Sequence, residues 1–190
     1  MARPSVVLVR HGETEWTISG QHTGRTDVPL TAEGRREAER LRDRLAGLEP
    51  AIVLTSPRQR ACETSRLAGF GDVAVVDDDL VEWDYGDYEG RPTAEIRDEV
   101  PDWSLWRDGA PGGETAGQIG ARADRVIERI RQAGDGVVFS HGHFLRVLAA
   151  RWLDLPPAAG RFFALVPASV SVLGWEREQA VLRGWNDTVS

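Results

Sequence analysis

Hydrophobic residues in this chain fall into short unbroken runs and into helical repeats, and the two patterns alternate. Four aliphatic runs have no polar face, which is typical of strands buried on both sides; they span residues 6–9, 51–55, 73–76 and 136–140. Apolar residues at helical spacing separate these runs and follow the last one. The alternation predicts an α/β fold of three layers, in which helices cover both faces of a mostly parallel central sheet.

The bounds of the main elements can also be predicted. Thr31 is a typical N-cap residue and Gly47 a typical helix end, so they bracket the first long helix. A second long helix begins near Thr115, and two late apolar runs, at 170–173 and 180–182, predict a β-hairpin. No repeat, low-complexity tract or long linker divides the 190 residues, so we expect a single domain over residues 1–190.

Two segments have no regular pattern. Residues 17–30 contain several glycines and no hydrophobic period, which is typical of a functional loop. Residues 80–114 are rich in Trp, Gly and Pro, with short helices predicted near 93–99 and 102–107. Because long irregular insertions in compact domains are usually functional, we expect 80–114 to form a lid or pocket wall.

Charge and composition narrow the classes of function. The net charge of −7 argues against a nucleic-acid surface, and no cluster of Lys or Arg is of the kind that docks on acidic lipid. The single cysteine, Cys62, rules out an intrachain disulfide and suits a reducing compartment. With no signal peptide or membrane-spanning run in the sequence, we expect a soluble, cytoplasmic protein.

Candidate chemistry lies where the predicted strands end. The first strand runs into Arg10 and then His11-Gly12, the fourth strand runs into His141-Gly142, and the second is followed by Arg58 and Arg60. Parallel strands bring their carboxyl ends to one edge of a sheet, so these side chains can converge. Since planar guanidinium groups match phosphate oxygens, the sequence predicts a phosphate site.

A metal site is the competing interpretation, because His141 and His143 could chelate an ion. A catalytic zinc site needs three protein ligands, and the sequence has neither a cysteine pair nor a His-Glu-x-x-His motif. Crowded arginines would also repel a dication, so we expect no metal and no other cofactor. For His22 and His143, an ordinary surface or core role remains as good an interpretation as a role in the site.

Three segments together resemble a known family. Residues 10–16, 56–61 and 140–143 are similar, in order and spacing, to the signature segments of the histidine phosphatase superfamily, which has the phosphoglycerate-mutase-like fold. Residues 20–24, 82–90 and 106–109 also resemble two subgroups in particular, an actinobacterial mutase-like acid phosphatase and fungal sedoheptulose-1,7-bisphosphatase.

The resemblance implies a role for each signature residue. His11 would be the nucleophile and form a phosphohistidine, while Arg10, Arg60 and His141 would hold the phosphoryl oxygens. Glu82 would protonate the leaving group and then deprotonate water. By composition alone Glu82 is one of 30 acidic residues and would be taken for a solvated loop carboxylate.

Further positions match substrate-contacting ones by the same resemblance. They are Thr17, His22, Thr23, Gly24, Ser56, Tyr85, Gly142 and Arg146. Many members of the family have asparagine where this chain has Thr17, and a threonine hydroxyl offers fewer hydrogen bonds to a phosphate.

The function that the resemblance implies is metal-independent hydrolysis of small phosphomonoesters, either of broad specificity or directed at sugar phosphates. A cofactor-dependent phosphoglycerate mutase is the alternative, which the short chain disfavours because a mutase must exclude water. A non-catalytic phospholigand-binding module would have lost the nucleophile or the acid, and both are present. The expected partner is a small phosphorylated metabolite, with no nucleic acid and no membrane; the family also allows a homodimer through a sheet edge.

Overall fold

A single mixed sheet organises the molecule, whose computed structural model describes residues 3–188. Its six strands lie in the order β3-β2-β4-β1-β5-β6. Strands β1 to β4 are parallel to one another, β5 pairs antiparallel with β1, and β6 pairs antiparallel with β5. The strands are β1 (Val6–Arg10), β2 (Ile52–Thr55), β3 (Val75–Val76), β4 (Gly136–Ser140), β5 (Val170–Glu176) and β6 (Gln179–Asp187). The α/β class and the mostly parallel sheet are therefore confirmed.

Helices flank this sheet and account for most of the connections. The α-helices are α1 (Glu15–Ser19), α2 (Ala32–Arg44), α3 (Gln59–Ser65), α4 (Thr93–Glu99), α5 (Leu105–Asp108), α6 (Ala116–Ala133) and α7 (Gly142–Trp152). A π-helical turn covers Arg66–Phe70, and 3₁₀ turns cover Asp78–Leu80, Gly86–Tyr88 and Pro157–Phe162. Among residues 3–188, none of these helices combines the length and the apolar character that crossing a membrane requires.

Several predicted bounds are confirmed, and others are wrong for local reasons. Thr31 and Thr115 are N-caps, and both accept a hydrogen bond from a backbone amide in the first turn of their helix. Helix α2 ends at Arg44, before the predicted stop at Gly47, which has a φ of 80° in the following turn. The third strand pairs over Val75–Val76 alone and is exposed.

The segment 17–30 is not wholly irregular, because its first residues belong to the short helix α1. Thr14 and Thr17 form a reciprocal capping box that starts this helix, and the sequence pattern gave no apolar period to reveal it. The segment 80–114 is a packed wall: Trp83, Ile96 and Trp103 belong to the larger hydrophobic core, together with the buried face of α6. Of the two forms expected for this insertion, a lid or a pocket wall, its packing into the core favours the wall.

Two glycines let helix α2 contact the end of β1 directly. A Cβ atom on Gly12 would lie 2.4 Å from the carbonyl oxygen of Gly34, and one on Gly34 would lie 2.2 Å from that of Glu13. Real Cβ atoms do not approach so closely, so the backbone after His11 is set by the first turn of α2. This contact fixes where β1 delivers its histidine.

Gly34→Ala tests that contact. Overpacking costs about 1–3 kcal/mol of unfolding free energy, and we expect a loss in that range by chemical denaturation, with a fall in activity. Gly117→Ala is the matched control, because Gly117 is also helical and its nearest neighbour is the Thr115 hydroxyl at 3.9 Å. That variant should be neutral or more stable by up to about 1 kcal/mol. Equal effects of the two substitutions would contradict the close-contact explanation.

Candidate active site

A cavity of about 300 Å³ opens at the carboxyl ends of β1 and β4. Nine of the residues predicted from the sequence line it: Arg10, His11, Thr17, His22, Thr23, Glu82, Tyr85, Gly142 and Arg146. Four do not line it, namely Gly24, Ser56, Arg60 and His141. The structure therefore separates the predicted residues into a cavity wall and a layer behind it.

His11 is held in a single orientation at the inner end of the cavity. Its Nδ1 lies 2.8 Å from the carbonyl oxygen of Gly12, so in the neutral ring Nδ1 donates its hydrogen there and Nε2 keeps a free lone pair. Burial lowers the pKa of His11 well below its usual value, and the charges of Arg60 and Arg10 lower it further. The ring is thus neutral at neutral pH, with an unprotonated Nε2.

Arg10 lies beside this imidazole and is half-buried. One of its terminal nitrogens donates to the carbonyl oxygen of Leu165, while its Nε has no hydrogen-bond partner within residues 3–188. Gly142 makes room for the guanidinium, because a Cβ there would lie only 3.3 Å from the Arg10 Cζ. A guanidinium in the wall of a cavity is suited to bind an anion.

Arg60, His141 and Ser56 form a fully buried hydrogen-bonded row behind His11. The Arg60 Nε donates to Nδ1 of His141 at 3.2 Å, so the opposite nitrogen, Nε2, carries the hydrogen and donates to the Ser56 hydroxyl at 2.7 Å. The rings of His11 and His141 are 5.2 Å apart, edge to face. Ser56 therefore orients His141 in this structure rather than facing the cavity.

The loop before α2 supplies the other partners of Arg60. The terminal nitrogens of Arg60 donate to the carbonyl oxygens of Thr23 and Thr26, each at 3.0 Å, and more weakly to that of Gly24. Gly24 thus contributes its backbone to Arg60 and, through its amide, to the Glu89 carboxylate. Contact of Arg60 or His141 with phosphoryl oxygens stays a prediction.

Glu82 lies in the cavity wall at the N-terminus of α7. Its Oε1 accepts hydrogen bonds from the amides of Trp83 and Phe144, both at 2.8 Å, and its Oε2 accepts one from the amide of His143 at 2.9 Å. A carboxylate is favoured at a helix N-terminus, where amides are free and the helix dipole is positive. The side chain is 6% exposed, and these three hydrogen bonds fix its orientation.

The outer part of the cavity holds two stacked imidazoles, His22 and His143, with ring centres 6.2 Å apart. His22 donates from Nδ1 to the carbonyl oxygen of Arg91, which leaves its Nε2 as an acceptor. Burial raises the pKa of Tyr85 well above its usual value, so its hydroxyl stays protonated, and it is hydrogen-bonded to Nδ1 of His143 at 2.7 Å.

Tryptophans complete the wall, and pattern analysis did not single them out. Trp16, Trp103 and Trp106 line the cavity, and the guanidinium of Arg146 lies 4.6 Å from the Trp106 ring centre. For Trp103 and Trp106 the sequence held one signal, the concentration of tryptophan in the irregular segment 80–114. His143, for which the sequence left a surface or core role open, is also in the wall.

Thr17 lines the cavity, but its hydroxyl is already used within α1. It donates to the carbonyl oxygen of Thr14 at 2.8 Å and accepts from the Thr14 amide at 2.9 Å. The hydroxyl is therefore less available to a ligand than the sequence suggested.

Comparisons with known proteins agree on one family. The model of the histidine phosphatase superfamily (branch 1) matches residues 6–188. The acid phosphatase of Mycobacterium tuberculosis is 44% identical over 93% of this chain and 91% of its own. The sedoheptulose 1,7-bisphosphatase of Saccharomyces cerevisiae is 43% identical over 80% of this chain and 68% of its own. A solved structure of an open reading frame from Mycobacterium tuberculosis has a TM-score of 0.93 at 41% identity and covers 98% of this chain and 99% of its own.

The protonation states described above can be measured by nitrogen NMR of the imidazoles. At about pH 6, below the usual histidine pKa of about 6.5, we expect His11 and His141 to be neutral, with hydrogen on Nδ1 and Nε2 respectively. The urea-unfolded chain is the control and should titrate normally. Since the folded pKa is lowered, unfolding takes up protons and the unfolding free energy should fall as the pH drops below about 6.5. A doubly protonated His11 in the folded protein at that pH would contradict the assignment.

Proposed function

The chain belongs to the histidine phosphatase superfamily and is a phosphatase of small phosphate esters, and we propose that it acts through a phosphohistidine at Nε2 of His11. The observation that carries the proposal is the anchored Nδ1 of His11, which leaves an unprotonated Nε2 on a ring close to the charges of Arg10 and Arg60. Neutral imidazole is the nucleophilic form, and adjacent cations favour attack on a phosphate dianion.

In the first step, the lone pair of the His11 Nε2 forms a bond to phosphorus as the bond to the leaving oxygen breaks. Glu82, protonated in the complex with substrate, gives its proton to that oxygen, so that an alcohol leaves rather than an alkoxide. Its Oε2 accepts only the His143 amide, whereas Oε1 accepts two amides, so Oε2 is the oxygen with room for the proton.

In the second step, water attacks the phosphohistidine and gives its proton to Oε2 of Glu82. The bond between phosphorus and Nε2 breaks, which returns the electron pair to His11 and releases phosphate. The Arg10 guanidinium lies in the cavity wall, where it can bind a phosphoryl oxygen, and Arg60 adds positive charge from behind. These groups are fixed before the reaction and need little reorganisation.

We propose hydroxylated esters, such as sugar phosphates, as the preferred substrates. The stacked pair of His22 and His143 places imidazole groups in the cavity wall, and the acceptor Nε2 of His22 suits a hydroxyl group. The tryptophan wall suits the apolar face of a sugar ring, and about 300 Å³ is enough for a small ester only. One relative carries the name of a sugar bisphosphatase, which supports the same class.

We further propose that the protein acts in the cytoplasm, where small phosphorylated metabolites are made and consumed. The same metabolites would be its partners. A homodimer through a sheet edge stays a prediction of the family resemblance.

His11→Gln tests the nucleophile directly. The wild type should hydrolyse p-nitrophenyl phosphate in EDTA and, quenched in alkali during turnover of a labelled ester, should retain acid-labile phosphate on one histidine peptide. The variant should lose the label and at least about a thousandfold in kcat. His22→Gln is the matched control, because it removes another imidazole from the same cavity and should keep the label. Label that survives in His11→Gln, or activity abolished by EDTA, would contradict the mechanism.

An assay with 3-phosphoglycerate as substrate distinguishes hydrolase activity from mutase activity. With 3-phosphoglycerate and a catalytic amount of 2,3-bisphosphoglycerate, we expect release of inorganic phosphate to exceed formation of 2-phosphoglycerate by at least about tenfold, because water reaches the phosphohistidine through the open cavity. Both products can be followed by phosphorus NMR in one sample. Dominant formation of 2-phosphoglycerate would favour the mutase alternative.

A further inference from the structure

Arg122 lies on α6, outside the wall of the catalytic cavity and outside the three signature segments. Its side chain is 11% exposed and donates five hydrogen bonds. Burying a guanidinium is costly unless all of its donors are satisfied. A buried guanidinium that makes all five hydrogen bonds holds its acceptors in fixed positions. The position of its acceptors shows what is being oriented.

Three of the acceptors are backbone carbonyl groups that lead up to the proposed general acid. Arg122 donates to the carbonyl oxygens of Asp79 at 2.6 Å, Val81 at 2.8 Å and Glu82 at 3.3 Å. One planar group thus holds the backbone through Glu82 itself. Carbonyl groups of an irregular segment have no sheet or helix partners of their own, so the guanidinium replaces them.

The remaining two bonds go to Glu114, which holds the chain beyond Glu82. The Arg122 Nε donates to Oε1 of Glu114 at 2.8 Å, and a terminal nitrogen donates to Oε2 at 2.7 Å. The Glu114 carboxylate accepts the amide of Asp84 at 3.0 Å, and its carbonyl oxygen accepts the indole N–H of Trp83 at 2.9 Å. The pair therefore grips the segment on both sides of Glu82.

Arg122 also contacts the residue that holds the Glu82 carboxylate. Its guanidinium carbon lies 5.0 Å from the ring centre of Phe144, and the Phe144 amide donates to Oε1 of Glu82. The same side chain thus touches the backbone that carries the acid and the first turn of α7 that orients it.

We propose that Arg122, paired with Glu114, is the positioning residue for the general acid Glu82. The inference rests on the proposed function, in which the Oε2 proton passes to the leaving oxygen as the phosphorus–oxygen bond breaks. Proton transfer depends on a hydrogen-bond distance of about 2.6–3.2 Å, so a small shift of segment 79–84 removes acid catalysis while His11 and Arg10 keep their places.

A comparison of leaving groups isolates that effect. p-Nitrophenolate leaves without a proton, whereas the alkoxide of benzyl phosphate needs one, and the two esters are of similar size. We expect Arg122→Lys, which keeps the charge and loses the fork, to lower kcat/KM for benzyl phosphate at least about tenfold more than for p-nitrophenyl phosphate. A purely structural defect would lower both values by the same factor.

Arg125→Gln is the matched control. Arg125 lies on the same helix and reaches the same segment, but it pairs with the Asp79 carboxylate at the surface, and its side chain is 54% exposed. This variant should leave the ratio of the two kcat/KM values unchanged. Glu114→Gln keeps the shape of its side chain and gives a second test that stands even if Arg122→Lys fails to fold; it should shift the ratio in the same direction.

Glu82→Gln distinguishes failure of this inference from failure of the proposed function. If Glu82→Gln shifts the ratio and neither Arg122→Lys nor Glu114→Gln does, the positioning role is wrong and the general acid stands. If Glu82→Gln leaves the ratio unchanged, the role of Glu82 is wrong and the inference falls with it. A shift in Arg125→Gln as large as in Arg122→Lys would also overturn the inference.

Discussion

Two guanidinium groups beside a neutral imidazole are the constraint on which this structure depends. Arg60 is fully buried and Arg10 is half-buried, and within residues 3–188 neither has a close carboxylate partner: the nearest acidic oxygen to Arg60, on the exposed Asp27, is 3.9 Å away. Such burial is tolerated only where other acceptors compensate. Here the compensation comes from backbone carbonyl groups, which offer partial charge without cancelling the cation. The cations thus help to lower the pKa of His11, and under the proposed function they attract the phosphate.

That demand for carbonyl groups explains the shape of the neighbouring loops. In the loop before α2, carbonyl oxygens point toward Arg60, and the amides of Gly24 and Thr26 donate hydrogen bonds to the Glu89 carboxylate. His22 and Gly90 continue the contact through backbone hydrogen bonds between the two irregular segments. The segments are therefore ordered as one wall although neither contains a long helix or a strand of the sheet.

The sequence predicted the parts of this arrangement that depend on local pattern. Strand ends, the N-caps at Thr31 and Thr115 and the convergence of His11 with His141 and Arg60 follow from local pattern and parallel topology. The orientation of Ser56 toward His141, and of the Thr17 hydroxyl toward Thr14, depends on side-chain rotation within a packed site and leaves no periodic trace. Arg122 was equally hidden, because its role arises from contact between a helix and a segment 40 or more residues away.

The Glu82 carboxylate occupies the N-terminus of α7. Helix N-termini are common phosphate sites, since their free amides and dipole favour anions. In this chain the first turn of α7 donates the amides of His143 and Phe144 to the Glu82 carboxylate instead. The same amides stabilise the negative charge of the Glu82 carboxylate. Under the proposed function, phosphate recognition then rests on side-chain cations, and this net-acidic chain places Arg10, Arg60 and Arg146 at this edge of its sheet.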